Sequence, residues 1–297
     1  MPFRPSTFRL TLAPLAVAAA LALSLPGAAI AACPDDATVA AFAKAYLAKQ
    51  PVEAFGTGLD AADTACARNK LVADLGKTLG PVVGYKAGLT NKAVQERFGA
   101  TAPVLGVLLQ DMILGAGAQL SPNFGIKPVY EADMVLVVAD EGINAAGTPE
   151  EAIQHIAGVR PFIELADLML ADPKQLTASV LAASNVGARL GVLGELAPID
   201  TSPAGVSALA NAEVVMTDGD GAVLSTAPGS AVLGNPLNAV IWVAQELAAE
   251  GKALKAGDLV SVGSFSPLTP PKPGQIITVT YKGLQGEPSA SVQFNLD

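Results

Sequence analysis

The run Pro128-Val-Tyr-Glu-Ala-Asp-Met-Val-Leu-Val-Val138 places two carboxylates, Glu131 and Asp133, two residues apart among apolar and β-branched side chains. Such a run reads as a buried strand. Side chains at i and i+2 share one face of a strand, so both acids point the same way. Two carboxylates on one desolvated face repel, and one must take up a proton unless a cation sits between them. A divalent metal is the simplest resolution. A third carboxylate, Glu164, lies in another apolar run, Val159-Arg-Pro-Phe-Ile-Glu-Leu165. Three oxygen ligands without thiolate or imidazole suit Mg2+ or Mn2+ better than Zn2+. The competing reading puts these acids at strand ends or in pairs with basic side chains.

Two basic residues lie in similar surroundings. Lys86 sits inside the Gly-flanked apolar segment Gly84-Tyr-Lys-Ala-Gly88. A buried lysine is costly unless paired, and its pKa falls readily. Lys86 is therefore a candidate acid/base or carboxylate anchor; the alternative is an edge-strand lysine that reaches out to water. Arg160 stands four residues before Glu164. In an extended segment Arg160, Phe162 and Glu164 share a face. The arginine could clamp a substrate carboxylate in bidentate fashion, or pair with one of the acids. Histidine occurs once, at His155 in a helix-like run, which excludes His-rich metal sites and reads as structural. There is no Gly-x-Ser-x-Gly elbow, and the glycines at 229, 234, 263 and 283 form no phosphate-binding fingerprint.

The elements that must position these residues follow from periodicity and caps. Residues 36–50 and 60–79 read as helices, the second capped by Asp60 and stopped at Gly80-Pro81. Residues 82–87 read as a strand, followed by a short helix capped by Thr90 or Asn91 and ending near Gly99. The 128–138 strand, a helix over residues 149–157 and the Glu164 strand come next. Asn235 and Pro236 open a helix that Gly251 closes. Short strands over 259–263, 275–281 and 289–294 end the chain. Helices and strands do not alternate regularly, which argues for an α+β fold with a mixed or antiparallel sheet. The expected organisation is a helical N-terminal subdomain over residues 33–80 and a metal-binding domain over 81–297.

Composition sets further bounds. Arg4 and Arg9, an apolar stretch from Leu10 to Leu25 and the small residues Ala29-Ile-Ala-Ala32 read as a secretory signal peptide over residues 1–32. A membrane anchor fits less well, because Pro14 and Pro26 leave the apolar stretch short of the roughly 20 residues of a span. The formal charge is −9, and removal of the leader leaves 16 basic against 27 acidic side chains, near −11. An acidic exported chain without a basic patch is a poor nucleic-acid binder. The two cysteines, Cys33 and Cys66, read as one disulfide in an oxidising periplasmic or extracellular compartment. The rival reading is a lipobox, Ile30-Ala-Ala-Cys33, with Cys33 lipidated.

Taken in order, these pieces resemble the 2-oxopent-4-enoate (2-keto-4-pentenoate) hydratase group of the fumarylacetoacetate hydrolase superfamily, which includes 4-oxalocrotonate decarboxylases. The likeness covers roughly residues 35–297. It is carried by Gly84-Tyr-Lys-Ala-Gly-Leu-Thr90, Gly106-Val-Leu-Leu-Gln-Asp-Met112, Glu131-Ala-Asp133, Glu164, Leu233-Gly-Asn-Pro-Leu-Asn-Ala239 and the Gly263-Ser264 and Pro273-Gly274 turns. The resemblance implies a mixed β-roll, a homo-oligomer, Glu131, Asp133 and Glu164 as ligands of Mg2+ or Mn2+, and Lys86 as the catalytic group. It also implies Arg160, Ser184, Asn185 and Ser264 as contacts to a small 2-oxo acid. The implied reaction adds water to a 2-hydroxy-2,4-dienoate to give a 4-hydroxy-2-oxo acid. The chain departs from the family pattern at several positions. Asp133 replaces a glutamate, and Val104 stands where hydratases carry an acid. Ser184-Asn-Val-Gly187 replaces Asp-Asn-Ala-Ser, and Met169 stands where an arginine is common. Val104 harms hydration more than decarboxylation, so a 4-oxalocrotonate-type decarboxylase is the alternative. C–C bond hydrolysis ranks behind it, and an exported oxo-acid-binding protein without turnover is the rival of another class.

Overall fold

The computed structural model describes residues 1–3 and 33–296. The signal peptide read over residues 1–32 lies, apart from its first three residues, outside the described residues. The described residues from Cys33 onward belong to one compact unit. Among the described residues no helix is long and apolar enough to cross a membrane.

Among the described residues two mixed sheets and seven α-helices make an α+β fold, as the irregular alternation predicts. The first sheet has seven strands: β1 (Val82–Gly88), β2 (Val104–Leu109), β3 (Ile113–Gly115), β5 (Pro128–Val138), β6 (Ile156–Asp167), β7 (Leu190–Leu193) and β10 (Leu259–Ser261), in the order β2-β1-β10-β5-β6-β7-β3. Its two edge strands, β2 and β3, are separated in sequence only by Gln110–Met112. Seven strands laid flat span about 29 Å, whereas that connection reaches about 14 Å. The sheet must therefore curl into a roll. Leu108, Val135, Phe162, Leu193 and Leu259, from five different strands, meet in one cluster on the inner face.

The long antiparallel pair β5–β6 is the centre of the roll. Residues of β5 alternate: Glu131, Asp133, Val135 and Val137 face inward, while Tyr130, Ala132, Met134, Leu136 and Val138 enter the main core. Both faces are buried, which explains why the run is apolar throughout instead of alternating. The second sheet, β4 (Ala118–Leu120), β8 (Glu213–Asp218), β9 (Val223–Pro228), β11 (Ile276–Lys282) and β12 (Ser289–Phe294), has the order β4-β12-β11-β8-β9. Its Ile277, Val279, Tyr281, Val292 and Phe294 fill the same core, as do Leu237, Val240, Val243 and Leu247 of a helix over Pro236–Ala249. That helix opens as expected, with the Asn235 side chain accepting from Leu237 N at 3.0 Å and Pro236 in its first turn.

The N-terminal helices α1 (Asp36–Leu47) and α2 (Ala61–Leu79) lie against the outer face of β2. Phe42, Tyr46, Leu71 and Leu75 share a core cluster with Val107, Leu109 and Met169. A second tie is ionic. Arg189 donates from Nε and Nη2 to Asp167 Oδ2 at 3.1 and 2.9 Å, and from Nη2 to the Tyr46 carbonyl at 3.0 Å. Its guanidinium carbon lies 4.0 Å from the centre of the Tyr46 ring. Asp167 also accepts from the backbone N–H groups of Ile126 and Lys127 at 3.0 and 2.8 Å. One buried carboxylate thus joins the end of β6, the loop before β5 and the first helix.

Three boundaries differ from the sequence reading. The first helix stops at Leu47, three residues early, because Lys49 takes a left-handed φ of 52° ahead of Pro51. The helix expected over residues 149–157 ends at Ala152 and tightens into a 3-10 turn, Ile153–His155. The β-ladder claims the rest, since Ile156 opens β6 and pairs with Val138. Strand β10 ends at Ser261, because Gly263 adopts φ 108° and turns its N–H inward. His155 makes a local contact, its Nδ1–H donating to the Asp140 carboxylate at 2.7 Å.

Cys33 and Cys66 are bonded, which ties the start of the unit to α2 across 33 residues. A loop of that size is worth about 3–4 kcal/mol. Reduction with dithiothreitol is expected to lower the unfolding free energy in urea by about that amount; an unchanged midpoint would show that the bond adds nothing. Asp167→Ala strands Arg189 and two backbone donors, and the expected loss is about 3–5 kcal/mol, read from the same titration.

Candidate active site

Register places the chemistry. Glu131 of β5 directly opposes Glu164 of β6, and Asp133 opposes Phe162 one step along. Lys86 of β1 pairs with Ser261 of β10, which pairs in turn with Val135 of β5. Strand alternation then sends Lys86, Ser261, Glu131, Asp133 and Glu164 to the same inner face of the roll. Lys86, Asp133, Glu164 and Ser261 are buried, and Glu131 keeps a partial opening to solvent.

Each charged group has a defined holder. The Lys86 ammonium donates to Glu164 Oε1 in a short, buried ion pair and to the Val186 carbonyl at 3.2 Å. Its stem lies over Gly106, where an added Cβ would fall 2.7 Å from Lys86 Cγ. Asp133 is tied by the Ser261 hydroxyl at Oδ2 and by the N–H groups of Met134 and Gly263 at Oδ1, the latter at 3.0 Å. The bend at Gly263 that ends β10 therefore serves this carboxylate. Tyr281 of the second sheet reaches the same level. Its hydroxyl donates to the Asp133 carbonyl and accepts from Phe162 N at 3.0 Å, bridging opposed residues of β5 and β6.

Three carboxylates share this interior with one ammonium, and the carboxyls respond. Burial, then the charge of Glu164, pushes Asp133 up to about 7, against the pull of the Ser261 hydroxyl, the Met134 N–H and Lys86. Burial, then Glu164 and Asp133, holds Glu131 well above the usual carboxylate range, with Lys86 and the Ser264 hydroxyl opposing. Burial likewise raises the Tyr281 phenol, which stays neutral and able to donate.

The donor chemistry suits a hard divalent cation, since the unrelieved repulsion at Glu131 is what such an ion removes. The side chains are not gathered around one point: among the described residues no three His, Cys, Asp or Glu form a metal cluster. Lys86 engages Glu164, and the shorter Asp133 is engaged by Ser261 and Gly263.

The other expected contacts divide. Ser264 sits beside Glu131, and its hydroxyl donates to the Ser266 carbonyl at 2.6 Å. Arg160 shares the inner face but pairs with Val135, four residues and about 13 Å along the strand from Glu164. Its Nε donates to the Gly194 carbonyl at 2.7 Å. Ser184 is buried and donates to the Val180 and Leu181 carbonyls, so its hydroxyl caps a helix end. Asn185 uses both ends of its amide on the Val107 backbone, at 2.8 and 3.0 Å. Val104 faces Gly88 at the start of β2 and offers no proton. Sequence reasoning did not single out Ser261, Tyr281, the Gly263 N–H or the Val186 carbonyl. The Ser within the apolar Leu259-Val-Ser261 run was the one available signal.

A pH dependence follows. Without metal the folded protein keeps protons on Glu131 and Asp133 that the unfolded chain has lost above about pH 4. These groups therefore make stability fall as pH rises from about 4 to 7. Glu131→Gln removes the repelled carboxyl. In EDTA the variant is expected to melt above the parent at pH 8, by roughly 2–4 °C per kcal/mol relieved, and the gap to close at pH 5. Mn2+ should raise the parent's melting temperature at pH 8 more than the variant's. Equal gaps at pH 5 and 8 would overturn this account of Glu131.

Residues 79–289 match the fumarylacetoacetate (FAA) hydrolase C-terminal family. A 2-keto-4-pentenoate hydratase of Paraburkholderia xenovorans (strain LB400) is 32% identical over 203 residues, which cover 68% of this chain and 73% of the relative. One from Burkholderia vietnamiensis (strain G4 / LMG 22486) is 34% identical over 216 residues, covering 71% and 79%. The solved 4-oxalocrotonate decarboxylase from Pseudomonas putida G7, complexed with magnesium and adipate, superposes with a TM-score of 0.75 at 25% identity, over 89% of this chain and 99% of its own. The likeness read from Lys86, Glu131-Ala-Asp133 and Glu164 is thereby borne out at the level of the family: the chain belongs to the fumarylacetoacetate hydrolase C-terminal family.

Proposed function

We propose that the protein is a divalent-metal-dependent hydratase that adds water to a 2-hydroxy-2,4-dienoate to give a 4-hydroxy-2-oxo acid. The observation that carries this reading is the buried Lys86–Glu164 pair facing Glu131 and Asp133 inside the roll, in a chain whose relatives are named as hydratases. Glu131, Glu164 and Asp133 would hold Mg2+ or Mn2+. The chemistry such a cation supplies when bound is Lewis-acid polarisation of the substrate's 2-oxygen. Lys86 holds the proton to be moved. Two of its three N–H bonds are engaged by Glu164 and Val186, and the third is left for substrate. Leu108, Phe162, Leu193 and Leu259 line the interior and keep bulk water from the charged groups.

A second reading, decarboxylation of a 4-oxalocrotonate-type acid, is favoured by two observations. Val104 supplies no acid at the mouth of β2, and the decarboxylase structure covers 89% of this chain. Loss of CO2 needs the electron sink and less help with protons.

Export to the periplasm or beyond is part of the same proposal. The Cys33–Cys66 bond supports it, because such bonds persist in oxidising compartments. Assembly into a homo-oligomer is also proposed, with support from the open edge strand β9, which exposes Val223 and Leu224.

The test is to mix the protein with Mg2+ or Mn2+ and freshly generated 2-hydroxypenta-2,4-dienoate, then separately with 4-oxalocrotonate, and to follow the dienoate absorbance beside an EDTA control. Metal-dependent loss is expected, with product analysis separating hydration from decarboxylation. Lys86→Ala should reduce kcat by about 10²- to 10⁴-fold. Absence of turnover with both acids, in protein shown to bind the metal, would favour a binding role.

A further inference from the structure

The chain between the helix over Ala178–Ala183 and β7 takes an unusual path. Asn185, Val186 and Gly187 are all left-handed, with φ of 59°, 54° and 64°. Glycine and asparagine tolerate this region, but a β-branched residue there is an outlier. Strain of this kind persists only where its surroundings over-determine it, and it concentrates at functional sites.

Two sets of contacts hold the turn. The Asn185 amide accepts from Val107 N at 2.8 Å and donates to Val107 O at 3.0 Å, acting as an extra rung on the open edge of β2. The Val186 side chain is buried between two glycines. An added Cβ at Gly88 would lie 2.5 Å from Val186 Cγ1, and one at Gly106 would lie 3.2 Å from Val186 Cβ. Both glycines flank Lys86, one as its near neighbour in β1 and one as its cross-strand partner in β2.

The turn has one polar output. The Val186 carbonyl accepts from Lys86 Nζ at 3.2 Å. A right-handed residue at 186 would rotate that carbonyl away. Lys86 would then be held by Glu164 alone, at the end of a flexible four-carbon stem. We propose that the left-handed Asn185–Val186 turn is a positioning device for Lys86. It sets the Val186 carbonyl as a second acceptor, so that the ammonium presents its remaining N–H bond in one fixed direction. Asn185 acts through Val186 and touches no substrate. The kinetic consequence rests on the reading that Lys86 works in the reaction; the structural consequence does not.

The experiment is pulse acylation of lysines in the folded protein with succinimidyl acetate, read at Lys86 by peptide mass mapping. In Asn185→Gly the rung on Val107 is lost while a left-handed backbone stays accessible. Lys86 labelling is expected to rise about tenfold over the parent, with kcat down about tenfold and KM within twofold. Val186→Gly keeps the carbonyl and the Asn185 rung and removes only the strain and the side chain. Its Lys86 labelling is expected to stay within threefold of the parent. Parent-like labelling in Asn185→Gly overturns the proposal. So does labelling in Val186→Gly as high as that expected for Asn185→Gly, because packing and not the turn would then hold the lysine. If Asn185→Gly does not fold, Val186→Gly decides alone on the same threefold limit. If the parent turns over neither dienoate, the functional reading fails while the labelling still decides the positioning.

Discussion

The ion pair between Lys86 and Glu164 is the contact around which the roll is organised. Each partner is almost fully removed from water. A buried ion of either sign costs several kcal/mol in a protein interior unless it is paired and its remaining valences are met. The two residues come from β1 and β6, which are not neighbours: β10 and β5 lie between them. Only curling of the sheet brings them together across its inner face. The curl needs inner positions without side chains, and Gly84, Gly106 and Gly191 supply them. At each, an added Cβ would press within 2.7 Å of a neighbouring strand, the Lys86 stem or the Phe162 ring.

The pair compensates one carboxylate of three. Asp133 is compensated differently, by a hydroxyl and two backbone N–H groups, and one of those N–H groups exists only because the chain bends at Gly263. Tyr281 then secures the backbone at the same level from the second sheet. Glu131 is the residue left over, and its raised carboxyl pKa records that. The cluster is thus under-compensated, and the imbalance falls on Asp133 and on Glu131, the second of which keeps a partial opening to solvent. That is the electrostatic character expected of a cation-binding position. Farther out, the Asp167–Arg189 pair locks the end of β6 to α1, so that the strand carrying Glu164 cannot slide.

One departure from the family pattern, Asp133, lies at the centre and keeps the charge on a shorter side chain, while two others lie beside Lys86. Val104 and the Ser184–Gly187 segment both border Lys86, through Gly88 and Val186. The lysine therefore keeps its carboxylate partner while its surroundings lose groups able to relay a proton. This favours chemistry in which charge delocalises into the substrate over chemistry that needs a second acid.

Much of this was legible in the sequence, for local reasons. The period-two placement of Glu131 and Asp133, the apolar flanks of Lys86 and Glu164, the caps at Asp60 and Asn235, and a cap at Thr90 or Asn91, which the structure assigns to Asn91, are set by backbone geometry within a few residues. The disulfide followed from a count of two. What only the tertiary structure decided is which partner each side chain takes. Lys86 could have reached water, Arg160 could have met a carboxylate, and Asn185 could have faced a ligand. Those outcomes depend on strand order and on the direction in which the sheet curls, which join residues 34 to 78 positions apart. Pairings of that kind leave no period in the chain. They arise because a buried charge must find its complement wherever the fold brings one near.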